Sequence, residues 1–318
     1  MNPLDALGWD EEWAELAARA DGTPGRVVRQ DRGWVQVARS SDDVESFRTR
    51  ADRVGTPVVG DWVTTLDDEV AEVLERRNAL RRADPVGEGE QVLAANLDLV
   101  LVVLGLDRPV KAGRIQRAVV QSVDADADPV VVLTKADLHE APDAERDRVA
   151  GEHPGIDVVA VSSREGTGID DLRRRAGNRT AVLLGESGAG KSSLLNALAV
   201  DALAAIGDVR DTDAKGRHTT TRRELHLLAG GGLVVDTPGV RAIGIHTDAE
   251  TVDASFPDIA ELAASCRFGD CSHDREPGCA VQAAIDEGAL PDERLALLRE
   301  LRAEAEWAMR PDHERRRR

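Results

Sequence analysis

Residues 180–198, TAVLLGESGAGKSSLLNAL, constrain this chain more than any other stretch. The apolar run Ala181–Leu184 ends at Gly185, and the octet Gly185–Ser192 reads G-x-x-x-x-G-K-S. Leu194, Leu195 and Leu198 then recur at helical spacing. Strand, glycine loop and helix in that order are the context of a P-loop. Glycines let the backbone curl until successive N–H groups point at phosphate oxygens, and the following helix adds its positive end. Gly185, Glu186, Ser187, Gly188, Ala189, Gly190, Lys191, Ser192 and Ser193 are therefore the expected phosphate cradle. Lys191 is placed to reach the β- and γ-phosphates, and Ser192 to hold a Mg²⁺. The competing reading is a glycine-rich strand-to-helix turn with no phosphate. The loop lies past the midpoint of 318 residues, so much of the fold must be built before it.

That length suggests two or three domains, and 42% hydrophobic residues are enough for real cores. The formal net charge is −18, which counts against extended nucleic-acid binding. The basic run Arg315–Arg318 reads first as a disordered tail and second as a phosphate-contacting arm. No stretch approaches the roughly 18 apolar residues of a membrane helix. The acidic start MNPLDALGWDEEW lacks the layout of a signal peptide, so a cytoplasmic location is expected. Three cysteines in such a chain argue against a disulfide framework.

In chain order, residues 1–24 are expected to be a helical extension. Trp9, Trp13, Leu16 and Ala20 share one helical face, and Gly22-Thr23-Pro24-Gly25 breaks it. Residues 25–84 read as about five short strands, including RVVRQ, GWVQVA, VVGDWVTTL and EVAEVLE. They suit a small barrel such as an OB-fold, although an SH3-like barrel has the same signature. Between Asp21 and Asp84 there are 11 Arg or Lys against 13 Asp or Glu, so the segment is not basic overall. Arg76, Arg77, Arg81 and Arg82 cluster at its end.

From Asn96 the pattern changes. LDLVLVVLGL is near-continuous in apolar residues, as in a strand covered on both faces. Helices at 111–123, 141–150 and 168–176 alternate with strands in DPVVVLTKAD and IDVVAVSS. The expectation is a mostly parallel, doubly wound α/β sheet. Thr134-Lys135-Ala136-Asp137 follows a buried strand, where a carboxylate can accept from guanine N1–H and the exocyclic amine. Adenine lacks that donor pair. The Lys135 stem can lie along the base, and the backbone of the Ser162-Ser163-Arg164-Glu165-Gly166 turn can meet guanine O6.

After the P-loop helix, residues 206–221 form a polar, aperiodic loop ending in Gly216-Arg217-His218-Thr219-Thr220-Thr221. A hydroxyl here can complete a Mg²⁺ shell. Asp236-Thr237-Pro238-Gly239 ends an apolar strand: Asp236 can hold Mg²⁺ through water, and the Gly239 N–H can reach the γ-phosphate. Val240 follows, where Ras-type enzymes place a glutamine that orients water. His218 is the candidate replacement, the alternative being a solvated loop histidine. In 251–318, Ser255–Ile259 read as loop, and Cys266, Cys271, His273 and Cys279 lie within 14 residues. Three thiolates and an imidazole close a tetrahedral shell for one structural Zn²⁺, the alternative being buried thiols. Helices are expected at 280–287 and 291–309.

The order of these motifs is diagnostic. The guanine-type turn precedes the P-loop, as in a circularly permuted chain. With the barrel, the Cys/His module, PVVGDWV at 57–63, GRHTTT, DTPGVR and CRFGDCSHDREPGCAV, the whole chain resembles the RsgA family, also called YjeQ or EngC. These are small-subunit ribosome biogenesis GTPases. The resemblance implies an OB barrel at 25–84, a permuted GTPase domain at 85–250, and a helical zinc-binding domain with a basic tail at 251–318. It implies that Lys135 and Asp137 contact guanine and that Gly185–Ser193 wrap the phosphates. Ser192, Thr220 and Asp236 are then the Mg²⁺ set, His218 positions water, and Cys266, Cys271, His273 and Cys279 bind zinc. The expected partners are GTP or GDP and the 30S subunit with its 16S rRNA. No membrane partner is expected, and the chain is expected to be a monomer.

The expected activity is GTP hydrolysis, stimulated by the 30S subunit, with release upon hydrolysis. The alternatives are an RNA-binding GTP/GDP sensor with little turnover and a P-loop ATPase. Thr134 departs from the asparagine of many GTPases, and its single hydroxyl is expected to hold the loop more loosely.

Overall fold

The computed structural model describes residues 2–50, 54–83, 90–203, 223–237 and 247–310. The chain opens with helix α1 (Glu11–Ala17), whose N-cap Asp10 accepts from the Trp13 amide at 3.2 Å. Trp13 is buried, and Trp9 and Trp13 flank Trp62 of the barrel at 4.7 and 5.9 Å between ring centres. The expected helical face is thus a docking surface on the body. The helix itself is shorter than the pattern, with Trp9 and Ala20 lying outside it.

Five strands close the barrel: β1 (Thr23–Asp31), β2 (Trp34–Ala38), β3 (Val44–Arg48), β4 (Trp62–Leu66) and β5 (Glu69–Val73). Their pairing runs β1-β2-β3-β5-β4 and back to β1, antiparallel except for β3 with β5. This is the OB-type ring, and Val27, Val35, Val37, Phe47, Val63 and Val70 fill it. Two expectations are corrected. Thr23, Pro24 and Gly25 belong to β1 and not to a break, and residues 58–61 are not strand, so β4 begins only at Trp62.

Asp61, fully buried, explains that turn. Its carboxylate accepts from the Val58 amide at 2.8 Å and takes the Arg76 guanidinium at 2.7 and 2.8 Å. Arg77 pairs with Asp10 and Glu12, both at 2.7 Å. Arg81 lies 3.7 Å from the Glu90 carboxylate, so three of the four arginines in the cluster at the barrel's end are occupied by the protein's own carboxylates.

A hairpin of β6 (Ala79–Ala83) and β7 (Glu90–Ala95) follows, and the expected boundary at 84/85 falls between its strands, outside the described residues. Next come β8 (Leu99–Gly105), helix α2 (Ala112–Asp124), β9 (Asp128–Thr134), α3 (Pro142–Glu152), β10 (Asp157–Ala160) and α4 (Ile169–Ala176). The chain continues with β11 (Thr180–Leu184), α5 (Lys191–Leu198), β12 (Ala199–Ala202), β13 (Glu224–Leu228) and β14 (Leu233–Asp236). The order across the sheet is β10-β9-β8-β11-β14-β13. All pairs are parallel except β13 with β14, and β12 pairs beside β13. Counted from the P-loop strand β11 and leaving β12 aside, the order reads 2-3-1-4-5-6.

Both faces are covered, which explains the continuous apolar strands. Leu99, Leu101 and Val103 of β8 pack with Leu172 and Leu194 of α4 and α5, whereas Val100 and Val102 pack with Ile115 and Val119 of α2. Strand β1 links barrel and sheet. It pairs with β4 from Thr23 to Arg26, then with β13 at Arg29–Glu224. Barrel and nucleotide-type sheet are therefore hydrogen-bonded into one sheet of 12 strands.

The C-terminal helices are α6 (Ala249–Ala254), α7 (Pro257–Ala263), α8 (Ala280–Asp286) and α9 (Asp292–Ala308). The Ser255–Ile259 expectation is corrected, since Pro257 opens α7, the position where its missing N–H costs nothing. Val120 of α2 joins the core of these helices with Val252, Phe256, Leu295 and Leu298. Gln116 of α2 donates to the Ser255 carbonyl at 2.7 Å and accepts from Arg294 at 2.7 Å.

Candidate nucleotide site and Cys/His cluster

The sheet brings the guanine-type turn and the P-loop together at the C-terminal ends of its parallel strands, where open α/β sheets bind ligands. Strand β9 ends on Thr134, which is buried and donates its hydroxyl to the carbonyl of Ala189 at 2.5 Å. Gly190 stands against it with φ 93°, and a Cβ there would lie 2.9 Å from the Thr134 hydroxyl. Lys135 adopts a left-handed conformation (φ 60°, ψ 37°) and crosses the loop to donate to the Gly188 carbonyl at 2.7 Å. Ala136 is buried, its amide donating to Val161 at 3.1 Å.

The Asp137 carboxylate accepts from the Ser162 hydroxyl at 2.7 Å. The same hydroxyl accepts from the Glu165 amide at 3.1 Å. The two turns expected to meet a base are therefore joined directly, through the side chain of Ser162. Ser163 lies in the same turn, half-buried.

In the P-loop, the Lys191 ammonium donates to the carbonyls of Gly185 and Glu186 at 2.6 and 2.9 Å. Ser192 and Ser193 are exposed at the first turn of α5. Asp236 ends β14, adjacent to β11, and is 4% exposed. Burial pushes its carboxyl up, and the Lys191 ammonium acts against that shift. Thr237 is fixed by donation to the Leu183 carbonyl at 2.8 Å. His218, Thr220, Gly239 and Val240 lie outside the described residues, as does the tail Arg315–Arg318.

Three side chains at this site escaped the sequence reading. Asp107, just beyond β8, receives the Lys135 ammonium at 2.7 Å. Arg108 and Arg114 approach Glu186 of the P-loop at 3.9 and 3.0 Å. Charged residues two to nine positions past a buried strand carry no periodic signal, and only the crossing of β8 beside β11 reveals them.

The second site is the loop between α7 and α8. The ligand atoms of Cys266, Cys271, His273 and Cys279 all lie within 4.8 Å of one another. His273 Nδ1 is 3.6 Å from the Cys266 sulfur and 3.5 Å from that of Cys279, and these two sulfurs are 3.9 Å apart. A tetrahedral zinc with ordinary bond lengths sets its ligand atoms about 3.5–3.8 Å apart. The donor set and these edges fit that ion.

The surroundings point the same way. The amides of Ala280 and Gln282 approach the Cys266 and Cys279 sulfurs at 3.4 Å, as around thiolates. The carbonyl of His273, which has φ 58°, accepts from Gln282 and Arg299 at 2.6 and 2.7 Å. Glu276 accepts from the Ser272 hydroxyl and from the amides of Ser272, Asp274 and Arg275, and the bonds from Ser272 above all hold its carboxyl at about 2.

The strand order, the guanine turn tied to the P-loop and the buried aspartate of β14 define a P-loop GTPase with circularly permuted motifs. Residues 73–246 match the sequence pattern described as RsgA GTPase. A relative from Streptomyces coelicolor, named small ribosomal subunit biogenesis GTPase RsgA, is 44% identical over 95% of this chain and 86% of its own length. The chain belongs to the RsgA GTPase family, and it is a GTPase. Among solved structures, YjeQ from Thermotoga maritima is 27% identical with a TM-score of 0.69, over 91% of this chain and 99% of that one. YloQ, described as a circularly permuted GTPase, is 28% identical with a TM-score of 0.66, over 92% and 97%. No helix among the described residues is long and apolar enough to cross a membrane.

Proposed function

We propose that this GTPase docks on the small ribosomal subunit, assists its late maturation and is released when GTP is hydrolysed. The observation that carries this reading is the joint presence of barrel, permuted sheet and Cys/His module in a chain 44% identical to a small ribosomal subunit biogenesis GTPase. The barrel at 25–84 and the module at 251–318 are the surfaces assigned to 16S rRNA, on either side of a GTPase domain at 85–250. The work is cytoplasmic.

Asp137 selects guanine, Lys135 covers its face, and the Ser162-Ser163 turn meets O6. Residues Gly185 to Ser193 wrap the phosphates, with Lys191 leaving its carbonyl partners to bind them. Ser192, Thr220 and Asp236 would hold Mg²⁺ with GTP, and the ion would supply positive charge against the phosphates. Gly239 donates to the γ-phosphate. Val240 cannot orient water, so that role passes to His218. Cys266, Cys271, His273 and Cys279 hold one structural Zn²⁺.

The test is GTP turnover with and without purified 30S subunits. Stimulation in the wild type and its loss in His218→Ala support the reading. A rate indifferent to both the subunit and the histidine rejects it.

A further inference from the structure

We propose that Asp107 is a positioning residue for guanine-nucleotide binding, anchoring the Lys135 ammonium so that the lysine stem stays across the P-loop beside Asp137. The inference deepens the reading of Lys135 and Asp137 given above and rests on it.

The geometry is specific. The backbone entering Lys135 is already fixed, because Thr134 is buried and tied to the Ala189 carbonyl at 2.5 Å. Lys135 itself is in the left-handed region, which a side chain with a Cβ adopts at a cost. From there its ammonium makes two contacts, to Asp107 Oδ2 and to the Gly188 carbonyl, each at 2.7 Å. The stem lies over Gly105. A Cβ on that glycine would stand 2.5 Å from Asp107 Oδ1 and 3.5 Å from the Lys135 Cδ and Cε atoms. A side chain at Gly105 would thus push the Asp107 carboxylate aside where it meets the lysine stem.

Asp107 is in turn placed by its surroundings. Its other oxygen lies 3.5 Å from Arg108 Nε, and Arg108 and Arg114 both reach Glu186 of the P-loop. The charges alternate from Lys135 through Asp107, Arg108 and Glu186 to Arg114, joining the guanine turn to the first turn of α2. The hydrogen bond from Lys135 holds the Asp107 carboxyl below the usual carboxylate range, so it is ionised at neutral pH. A lysine without this anchor loses rotamer freedom only when nucleotide binds, and it is drawn toward the phosphates instead of the base. Both partners are about 30% exposed, so the effect is moderate.

The experiment uses the full chain and measures equilibrium binding of fluorescent GDP and a GTP analogue, with steady-state GTP turnover. Asp107→Ala is expected to weaken both nucleotides equally, by roughly 3- to 10-fold, with the loss falling on KM rather than kcat. Asp107→Glu recovers most of it. In a Lys135→Met background, Asp107→Ala adds less than about twofold, because the residue acts through the lysine. The isosteric Asp107→Asn, checked for native circular dichroism, guards against a folding defect and shows the same weakening. Binding as tight as wild type or tighter, or an undiminished loss in the Lys135→Met background, overturns the inference. Wild-type preference for GDP over ADP is measured alongside. Its absence rejects the guanine reading itself, whereas preference with a silent Asp107→Ala rejects only the role of Asp107.

Discussion

The Thr134 hydroxyl donates to the Ala189 carbonyl across 2.5 Å, so the first residue of the guanine turn is hydrogen-bonded to the middle of the P-loop. One short side chain thereby couples the base end of the site to its phosphate end. Thr134→Val keeps the shape and removes the donor, leaving a buried carbonyl unsatisfied. GDP affinity is expected to fall by roughly tenfold, about 1.4 kcal/mol, with Thr134→Asn close to wild type. Equilibrium titration with a fluorescent GDP measures it, and wild-type affinity in the valine variant counts against the coupling.

Ser162 and Asp137 make a graded prediction. Asp137→Asn replaces one acceptor with a donor and should cost guanine nucleotides at least about 100-fold. Ser162→Ala removes only the hydroxyl that orients the carboxylate. Its cost should be roughly threefold to tenfold, with guanine preference retained. Competition between GDP and ADP for the same site reads both, and a Ser162→Ala loss as large as that of Asp137→Asn would contradict the assigned ranking.

One zinc per chain is the expectation for the Cys/His cluster, by elemental analysis of protein purified without added metal. Cys279 is buried in the core shared by α7, α8 and α9. Cys279→Ser or a strong chelator should therefore lower the melting temperature as well as remove the metal. A zinc-free preparation that melts like the wild type rejects the ligand set.

Stability should fall in mild acid. Burial, reinforced by the nearby Arg294 guanidinium, holds the His153 pKa at about 4, against 6.5 for an exposed imidazole. Between those values the unfolded chain binds a proton that the folded chain does not, so stability is full above pH 6.5 and declines toward pH 4. The loss from this residue is about 1–2 kcal/mol by pH 5. Burial also holds His226 near 4, with the same sign, so His153→Gln should flatten the profile without abolishing it. Urea midpoints at pH 7 and pH 5 test this, and identical slopes in variant and wild type would disprove it.

Arg26 is a buried charge that ties four segments together. Its guanidinium donates to the carbonyls of Leu7, Gly60 and Asn96 at 2.5, 3.2 and 3.0 Å, and to the Thr180 hydroxyl at 3.0 Å. Burial pulls its pKa down to about 10, still charged at neutral pH. These acceptors come from the N-terminal turn, the barrel, the end of β7 and the P-loop strand. Arg26→Met should destabilise the protein by about 3–5 kcal/mol, because several carbonyls lose their donor at once. Denaturant unfolding provides the number, and a loss below about 1 kcal/mol would show that water replaces the guanidinium.

Legibility followed the range of the cause. The P-loop, the guanine turn, the Asp236 strand and the Cys/His cluster are short patterns set by local chemistry, and the residues named from them are grouped where the structure describes them. Strand β3 passed unnamed because VESFR has only Phe47 buried, giving no alternation. Helix α7 was hidden by Pro257, which reads equally well as loop. Asp107, Arg26 and the β1–β13 pairing depend on segments far apart in sequence, and nothing local separates Arg26 from the barrel's other arginines. The arginines at 76 and 77 looked like a basic patch until Asp61, Asp10 and Glu12 were seen beside them.

The late position of β11 also governs how the chain is made. Strand β8 ends at Gly105, and its parallel neighbour β11 begins only at Thr180. As the polypeptide leaves its own ribosome, strands β8, β9 and β10 emerge with one edge of β8 unpaired. The P-loop strand β11 arrives later and adds to that edge, and β14, made later still, then adds beyond β11. Vectorial synthesis therefore lays down the strand before the TKAD turn ahead of the P-loop, the reverse of an unpermuted chain, and the nascent sheet carries an open apolar edge, first on β8 and then on β11, until β14 covers it.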